Sequence, residues 1–526
     1  MTAFDWVLIV LGAAALVPSA LRWLRVAQRE HYIAGWVSRL AALWLTRRPI
    51  NAWVSAAVVL LVTVSVVAVS LGQPVIAQGS ALLAILTAAV LPLGLSVRGV
   101  SAPLNWTARL RRVAAGYGVL AVALSALLWW VVGAAGFAVV LVVAPLLMDA
   151  ALVPLAAIEK RLSHKYLVSA RKRLTQVLPT IVAITGSYGK TSTKGYVNHV
   201  LDGAFAQVAS PASFNNLMGL SRAVNDRVVP GTEVFIAEMG VYGRGEIREL
   251  SQSFPPDIAA ITTIGEAHLA RMGSRAVIAA AKSEITEKAR IVVLPIDEPE
   301  LAALAERCRA EGKTVITVST HAEVPADVVV DAASGTLTVV SESGTSASVT
   351  EVFPVTVPAV GHAVNIAITV GIARALGMAA SAIAPRLANL PGAAHRAEIQ
   401  VAESGVAIVD DTYNSNPVGA ERAVRGAAEL AASRGGRLVV VTPGMVELGH
   451  VQDERNRQLA ETVAEVGGQL LAVGRTNRAA LIAGSASAAH PTQVFDQRSV
   501  AVTAALKLAD ERGVILYEND LPDHYP

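Results

Sequence analysis

The sequence predicts an α/β fold in three parts: an N-terminal helical transmembrane domain, a central three-layer α/β domain, and a C-terminal α/β domain of the dinucleotide-fold type. Three observations carry that expectation. The chain has 526 residues and is 53% hydrophobic, with a mean hydropathy of +0.50, and the apolar excess sits in the first 156 residues. From 180 to about 390, apolar β-like runs alternate with helical patterns. After a Pro-Gly turn around 391–397 the alternation starts afresh. The expected divisions are 1–156 for the transmembrane domain, 157–178 for a basic connector, 179–392 for the central domain and 393–526 for the last.

Four apolar regions have the length to cross a bilayer: about 5–22, 52–71, 76–97 and 114–156. The last is twice as long as one helix needs, and Gly133-Ala134-Ala135-Gly136 near its middle predicts a turn, giving five spans. Basic residues set the orientation. Arg22, Arg25, Arg29, Arg39, Arg47 and Arg48 follow the first span, Arg98, Arg109, Arg111 and Arg112 the third, and Lys160, Arg161, Lys165, Arg171, Lys172 and Arg173 the fifth. The connections near 72–75 and 133–136 hold no Lys or Arg. The positive-inside rule then predicts a plasma-membrane protein with its N-terminus outside and everything beyond residue 160 in the cytoplasm. Asp149 is the only acid inside the fifth span, too few ionisable groups for an ion pathway. The membrane part is then either an anchor and scaffold or a groove for a lipid-linked substrate.

The net charge of +3 and pI near 9.0 do not imply nucleic acid, because the arginines flank apolar segments without interleaved aromatics. The single cysteine, Cys308, cannot form an internal disulfide. The connector, basic and partly apolar, suits the anionic inner leaflet.

In the central part, strands are expected at 180–184, 205–209, 233–238, 258–264, 290–294 and 314–318, and helices from Lys190 and near Arg275, Pro299 and Ala363. A small hairpin insertion or sheet extension is expected at 326–358. The first strand runs into Thr185-Gly186-Ser187-Tyr188-Gly189-Lys190-Thr191-Ser192. Such a glycine turn at a helix start directs backbone N–H groups at phosphate oxygens, a P-loop ATPase-like feature. Lys190 can reach the β and γ phosphates of ATP, and the Thr191 hydroxyl can bind Mg²⁺. The two glycines are closer together than in the usual G-x-x-x-x-G-K-[ST] loop.

Glu238 ends an apolar strand, where α/β nucleotide enzymes hold Mg²⁺. His268 follows another strand-like run, and Lys282 lies fourteen residues later in a helix. Each also has a plainer reading: a helix cap, a satisfied polar contact and a solvated lysine. In the last domain strands are expected at 406–411, 437–442, 469–473 and 514–517, and helices at 417–432, 452–466 and 499–511. Asp410-Asp411-Thr412-Tyr413-Asn414-Ser415-Asn416-Pro417 places two acids at a strand tip before a helix start, as a nucleotide contact or a simple cap. Arg396 can reach across the cleft to a γ-phosphate.

Together these segments resemble the Mur ligase family over about 180–465, most nearly the branch that adds D-alanyl-D-alanine to a UDP-muramoyl tripeptide. The loop from Gly186, Ser187 and Gly189 to Lys190, Thr191 and Ser192 is similar to that family's ATP loop. Asn215-Asn216 resembles its paired asparagines, and Glu238-Met239-Gly240 its Mg²⁺-binding acid segment. Ala267-His268-Leu269 resembles the segment whose histidine binds a second Mg²⁺, and Ala281-Lys282-Ser283-Glu284-Ile285 its carbamylated-lysine segment. His362 and Asn365 resemble the helix beside the nucleotide, Arg396 an ATP-contacting arginine, and Asp411 a nucleotide contact. Gly444-Met445-Val446-Glu447-Leu448-Gly449 is similar to a further loop of the family.

The resemblance implies an ATP-dependent carboxylate–amine ligase. An acceptor carboxylate attacks the γ-phosphate, and the acyl phosphate is taken by the amine of an amino acid or short peptide. It implies catalytic roles for Lys190, His268, Lys282 and Arg396, metal ligation by Thr191, Glu238 and His268, and two Mg²⁺ ions with carbamylated Lys282. The family's usual UDP-binding first domain is replaced here by the apolar spans, which points to a lipid-linked or membrane-proximal acceptor in cell-envelope synthesis. The alternatives are a poly-γ-glutamate-type ligase and a membrane transport or regulatory ATPase.

Overall fold

The structure is a computed structural model that describes residues 2–99, 103–211, 214–241, 243–342, 348–357, 363–392, 398–413, 415–521 and 523–526. The chain divides into two compact units. One comprises Met1–Leu162 with Gly474–Thr476 and Leu521–Pro526, the other Ser163–Val473 with Asn477–Asp520.

The first unit is helical: Ala3–Arg29, Trp36–Arg47, Pro49–Ser70, Pro74–Ala89 and Ala108–Val132, then the start of Gly136–Val177. By length and composition, Ala3–Arg29, Pro49–Ser70 and the stretch Ala108–Val177 can each cross a membrane. A 3₁₀ turn, Gly133–Ala135, breaks the last of these where the glycines predict it. Gly133 adopts φ +61°, and a Cβ on Gly136 would lie 2.7 Å from Leu128 Cβ, so both positions favour glycine. The region expected to span at 76–97 is helical only over Pro74–Ala89, which at 1.5 Å per residue is about 24 Å. Its irregular sequel is held by side chains: Arg22 donates to Ala89 O (2.8 Å), and Leu93 N donates to Asn51 Oδ1 (2.7 Å). The residues expected as a separate connector continue the helix that begins at Gly136.

The lone acid of the expected fifth span has a structural task. Helix Trp36–Arg47 starts after Gly35, which has no side chain to cap it. Asp149 supplies the cap from elsewhere, accepting from Ser38 N (2.8 Å) and Val37 N (3.3 Å). The segment Leu521–Pro526 also belongs to this unit. Trp44 Nε1 donates to His524 O (2.9 Å), Asp523 pairs with Arg25 (2.5 Å), and the His524 ring meets Glu30 Oε1 at 3.0 Å.

The second unit holds two sheets. The larger comprises β1 (Thr180–Thr185), β2 (Gln207–Ala209), β3 (Val234–Glu238), β4 (Ile258–Ile261), β5 (Ile291–Pro295), β6 (Thr314–Ser319), β7 (Val328–Asp331), β8 (Thr336–Glu342) and β9 (Ser348–Pro354). Their order is β2-β3-β1-β4-β5-β6-β7-β8-β9. Pairing is parallel from β2 to β7, and the 328–354 segment extends the sheet as antiparallel β7-β8-β9. Alternate residues of the buried strands feed two cores. Phe235 and Ala237 pack with Leu220, Phe254 and Leu294, whereas Ile236 and Ile184 pack with Val293, Ile366 and Ile372. Helices on both faces make three layers.

The smaller sheet comprises β10 (Glu398–Val401), β11 (Ala407–Asp411), β12 (Leu438–Thr442), β13 (Gln469–Val473), β14 (Gln493–Phe495) and β15 (Val514–Glu518), in the order β10-β11-β15-β12-β13-β14. Only the β10–β11 pair is antiparallel. The short edge strands β10 and β14, and the helices Leu217–Arg227, Glu246–Ser253 and Arg478–Gly484, are elements the sequence pattern did not predict.

Candidate active site

The glycine loop lies between the C-terminal tip of β1 and the helix Lys190–Leu201. Gly186 has φ +153°, and a Cβ there would run into Thr262 Oγ1; at Gly189, φ +79°, it would run into Asn365 Oδ1. Only glycine lets the backbone curl this tightly. The loop is braced by the turn after β4: Ser187 N donates to Thr263 O (2.9 Å), and Gly265 N donates to Ser187 Oγ (2.8 Å). Lys190 folds back over the loop, with Nζ 2.5 Å from Gly186 O and 3.4 Å from Ser187 O. Ser192 follows on the first turn of the helix.

Glu238, at the tip of β3 beside β1, faces this helix start. Thr191 Oγ1 donates to its Oε2 (3.1 Å), and Asn215 Nδ2 lies 3.5 Å from its Oε1. Lys194 Nζ stands 2.9 Å from Glu238 Oε2. Burial opposes the Glu238 charge, but the ammonium groups of Lys194 and Lys190 outweigh it and hold the carboxyl below its ordinary range. A carboxylate and a hydroxyl side by side are the hard oxygen donors that Mg²⁺ prefers. Among the described residues, no group of three or more His, Cys, Asp or Glu forms a ready-made cage.

Asn365, 1% exposed on the helix Ala363–Ala375, has neither side-chain polar atom paired among the described residues. A buried amide left unsatisfied against a phosphate-type loop is a group waiting for a ligand. Lys282 is 3% exposed, and burial first, then the Lys190 charge, pushes its amine well below the ordinary lysine range. His268 lies within electrostatic reach of both Lys190 and Lys282. It adopts φ +61° at the start of helix Leu269–Met272, and its Nδ1 is 2.6 Å from Glu447 Oε2. Burial pushes the His268 ring down, and Glu447 only partly offsets this. For Glu447, burial is outweighed by the hydrogen bonds and charges of His268 and Arg271, which bring it down to about 2.

The sequence-derived candidates therefore fall into four groups. Gly186, Ser187, Gly189, Lys190 and Thr191 form the loop and its helix start, Asn215, Glu238 and Asn365 lie against them, and His268 and Lys282 are within electrostatic reach of Lys190. Asn216 instead caps helix Leu217–Arg227 by accepting from Gly219 N (2.9 Å), and Asn416 caps Pro417–Arg434 in the same way through Gly419 N (2.7 Å). Asp411 sits at the tip of β11, in register with Glu518 of β15. Burial, and then the nearby Asp411 charge, push the Glu518 carboxyl well above the ordinary range. Arg396, His362 and Asn414 lie outside the described residues.

Lys194, Arg271 and Glu518 are participants that sequence reasoning passed over. Lys194 had a signal, since it sits one helical turn beyond Lys190 on the same face. A cavity of about 260 Å³ between the two sheet domains is lined by Tyr188, Gly265, Arg275, Pro417, Met445 and Arg455, so the loop, the Asp-Asp-Thr-Tyr segment's helix and the 444–449 loop share one cleft.

A phosphate loop at a parallel strand, an acid at the neighbouring strand tip and a second α/β domain closing the cleft define a P-loop-type nucleotide-binding protein. More particularly, the chain belongs to the Mur ligase family. Residues 184–373 match the Mur ligase middle domain, and residues 395–517 match the Mur ligase, glutamate ligase domain. It is 29% identical over 297 residues to the UDP-N-acetylmuramoyl-tripeptide--D-alanyl-D-alanine ligase of Bacillus subtilis, covering 56% of this chain and 62% of that protein. It is 33% identical over 253 residues to the enzyme of the same name from Mycobacterium leprae, covering 45% and 48%. The chain thus spans about half to three-fifths of the length of these relatives.

Among solved structures it is similar in fold to MurF from Acinetobacter baumannii, with a TM-score of 0.56 at 23% identity over 68% of this chain and 77% of that one. MurF ligase from Thermotoga maritima in complex with ADP gives the same score and identity over 68% and 80%.

Proposed function

We propose that the protein is an ATP-dependent ligase that activates a carboxylate as an acyl phosphate and joins it to an amine in cell-wall precursor synthesis. The observation that carries this reading is the convergence of Lys190, Thr191, Glu238, His268 and Lys282 on the glycine loop. The names of the relatives, which join a peptide precursor to D-alanyl-D-alanine, support the same reaction class.

In this mechanism the loop amides and Lys190 bind the β and γ phosphates of ATP and offset the charge that develops on the transferred group. A Mg²⁺ held by Thr191 and Glu238, and a second at His268, would supply electrostatic shielding between the carboxylate and the γ-phosphate. Lys282 enters as a neutral amine, the form that reacts with CO₂, and its carbamate would offer the negative charge a second ion requires. Arg396 belongs to this proposal as a γ-phosphate contact. The two-domain cleft aligns acceptor and nucleotide and excludes water, so that the acyl phosphate meets an amine before it is hydrolysed.

The apolar helices support a plasma-membrane location with the two sheet domains on the cytoplasmic side, where ATP is found. The acceptor is then lipid-linked or membrane-proximal. Purified protein in detergent or nanodiscs, given ATP, an amine donor and either lipid-linked or soluble UDP-linked muramoyl peptides, should release ADP and amide product with the lipid-linked set. Exclusive use of the soluble set would overturn the acceptor assignment. No amide with any acceptor would overturn the ligase reading.

A further inference from the structure

Glu447 reaches from the C-terminal domain to a single turn of the central domain and fastens it at three points. Its Oε2 lies 2.6 Å from His268 Nδ1, its Oε1 accepts from Arg271 Nη2 (2.6 Å), and its backbone carbonyl accepts from Ala270 N (2.9 Å). Both partners of the His268–Glu447 pair are non-glycine residues in the left-handed region, at φ +61° and +64°. Each such conformation costs on the order of 1 kcal/mol and persists only when the surroundings hold it. Two strained residues facing each other across a domain boundary, tied by side chain and backbone, are a built contact.

The chemistry of the contact is directional. A carboxylate can only accept, so His268 must donate from Nδ1, and the neutral ring then carries its lone pair on Nε2. A carboxylate on one ring nitrogen is the standard means of fixing the tautomer and orientation of a metal-ligating histidine. We infer that Glu447 is a positioning residue, which holds His268 as the Nδ1–H tautomer with Nε2 directed to the metal site and makes that site complete only when the C-terminal domain is docked. This rests on the reading of His268 as a metal ligand, so its test must separate the two.

Mn²⁺ would be titrated into full-length protein carrying a non-hydrolysable ATP analogue, with affinity and ¹⁴N hyperfine coupling followed by electron paramagnetic resonance. The His268 tautomer would be read by ¹⁵N chemical shifts. Glu447→Ala should weaken Mn²⁺ binding about 10- to 100-fold, abolish the Nδ1–H signature and reduce the ¹⁴N coupling. Glu447→Gln, which keeps an acceptor oxygen and the side-chain shape, should retain the tautomer and part of the affinity. If the Ala variant does not fold, the Gln variant decides: Mn²⁺ affinity and ¹⁴N coupling equal to the wild type would overturn the inference. Wild-type affinity, tautomer and coupling in Glu447→Ala, with only a lowered Tm, would overturn the inference while leaving the ligase reading intact. If His268→Ala itself binds Mn²⁺ as the wild type does, the metal role of His268 fails, and the inference fails with it.

Discussion

Lys194 Nζ stands 2.9 Å from Glu238 Oε2, and both side chains are almost wholly withdrawn from solvent. A buried ammonium thus holds the carboxylate to which the proposed mechanism assigns a Mg²⁺. Removing one partner leaves the other charged and unpaired, which costs about 3–5 kcal/mol. Glu238→Ala should therefore lower stability by roughly that amount as well as abolish Mg²⁺-dependent ATP turnover, and Glu238→Met combined with Lys194→Met should recover most of the stability but none of the turnover. Denaturant titrations of the single and double variants, beside ADP release, check this.

Asn365 gives the opposite sign. Its two orphaned polar atoms cost the free protein on the order of 1–3 kcal/mol. The nearly isosteric Asn365→Leu should raise the Tm of nucleotide-free protein and diminish the further rise that ATP produces. Differential scanning fluorimetry with and without nucleotide reads both effects.

At Gly189 the outcome is steric. With φ +79° and Asn365 Oδ1 occupying the space a Cβ would need, Gly189→Ala strains the backbone and spreads the loop. ATP affinity should fall at least about tenfold, equivalent to 1.4 kcal/mol, while circular dichroism stays unchanged. Isothermal titration with an ATP analogue measures it.

The depressed Lys282 amine predicts a dependence on CO₂. Because the folded state holds this group neutral over a range where the unfolded chain protonates it, stability contributed through Lys282 rises with pH between the lowered folded value and the ordinary value of 10.5. Turnover should fall in bicarbonate-depleted buffer and recover on addition of bicarbonate, with a ¹³C carbamate resonance that is absent from Lys282→Ala. A carbamate resonance unchanged in that variant would contradict the assignment.

Glu447 should leave a trace in acid. Its folded value is about 2 against 4.5, so its contribution is complete above 4.5 and disappears as the pH falls toward 2. The stability gap between wild type and Glu447→Gln should be widest above pH 4.5 and close on acidification, as followed by urea unfolding at a series of pH values.

The parts legible in the sequence are those where one local rule suffices. The strand before Gly186, the acid closing β3, the Gly133–Gly136 turn and the alternation of β11, β12, β13 and β15 with helices all follow from periodicity or turn chemistry. The short edge strands β10 and β14 escaped because three or four half-exposed residues carry no clear alternation. Asn216 reads in the sequence only as one of a family-like pair of asparagines; that its side chain caps a helix through Gly219 N is visible only in three dimensions. Arg271, and the task of Glu447 within its family-like loop, escaped for a deeper reason. Their partner lies 176 residues away for one and 179 for the other, and no spacing rule operates at that range.

The position of β15 has a consequence for how the chain comes into being. Although it follows every other strand of its sheet in sequence, it lies between β11 and β12 and pairs with both. Until the ribosome has released residues through Glu518, those two neighbours expose unmatched backbone edges. Co-translational assembly of the smaller sheet must therefore wait for β15 to emerge, and a nascent chain stalled a few codons short of it should be an aggregation-prone client of chaperones.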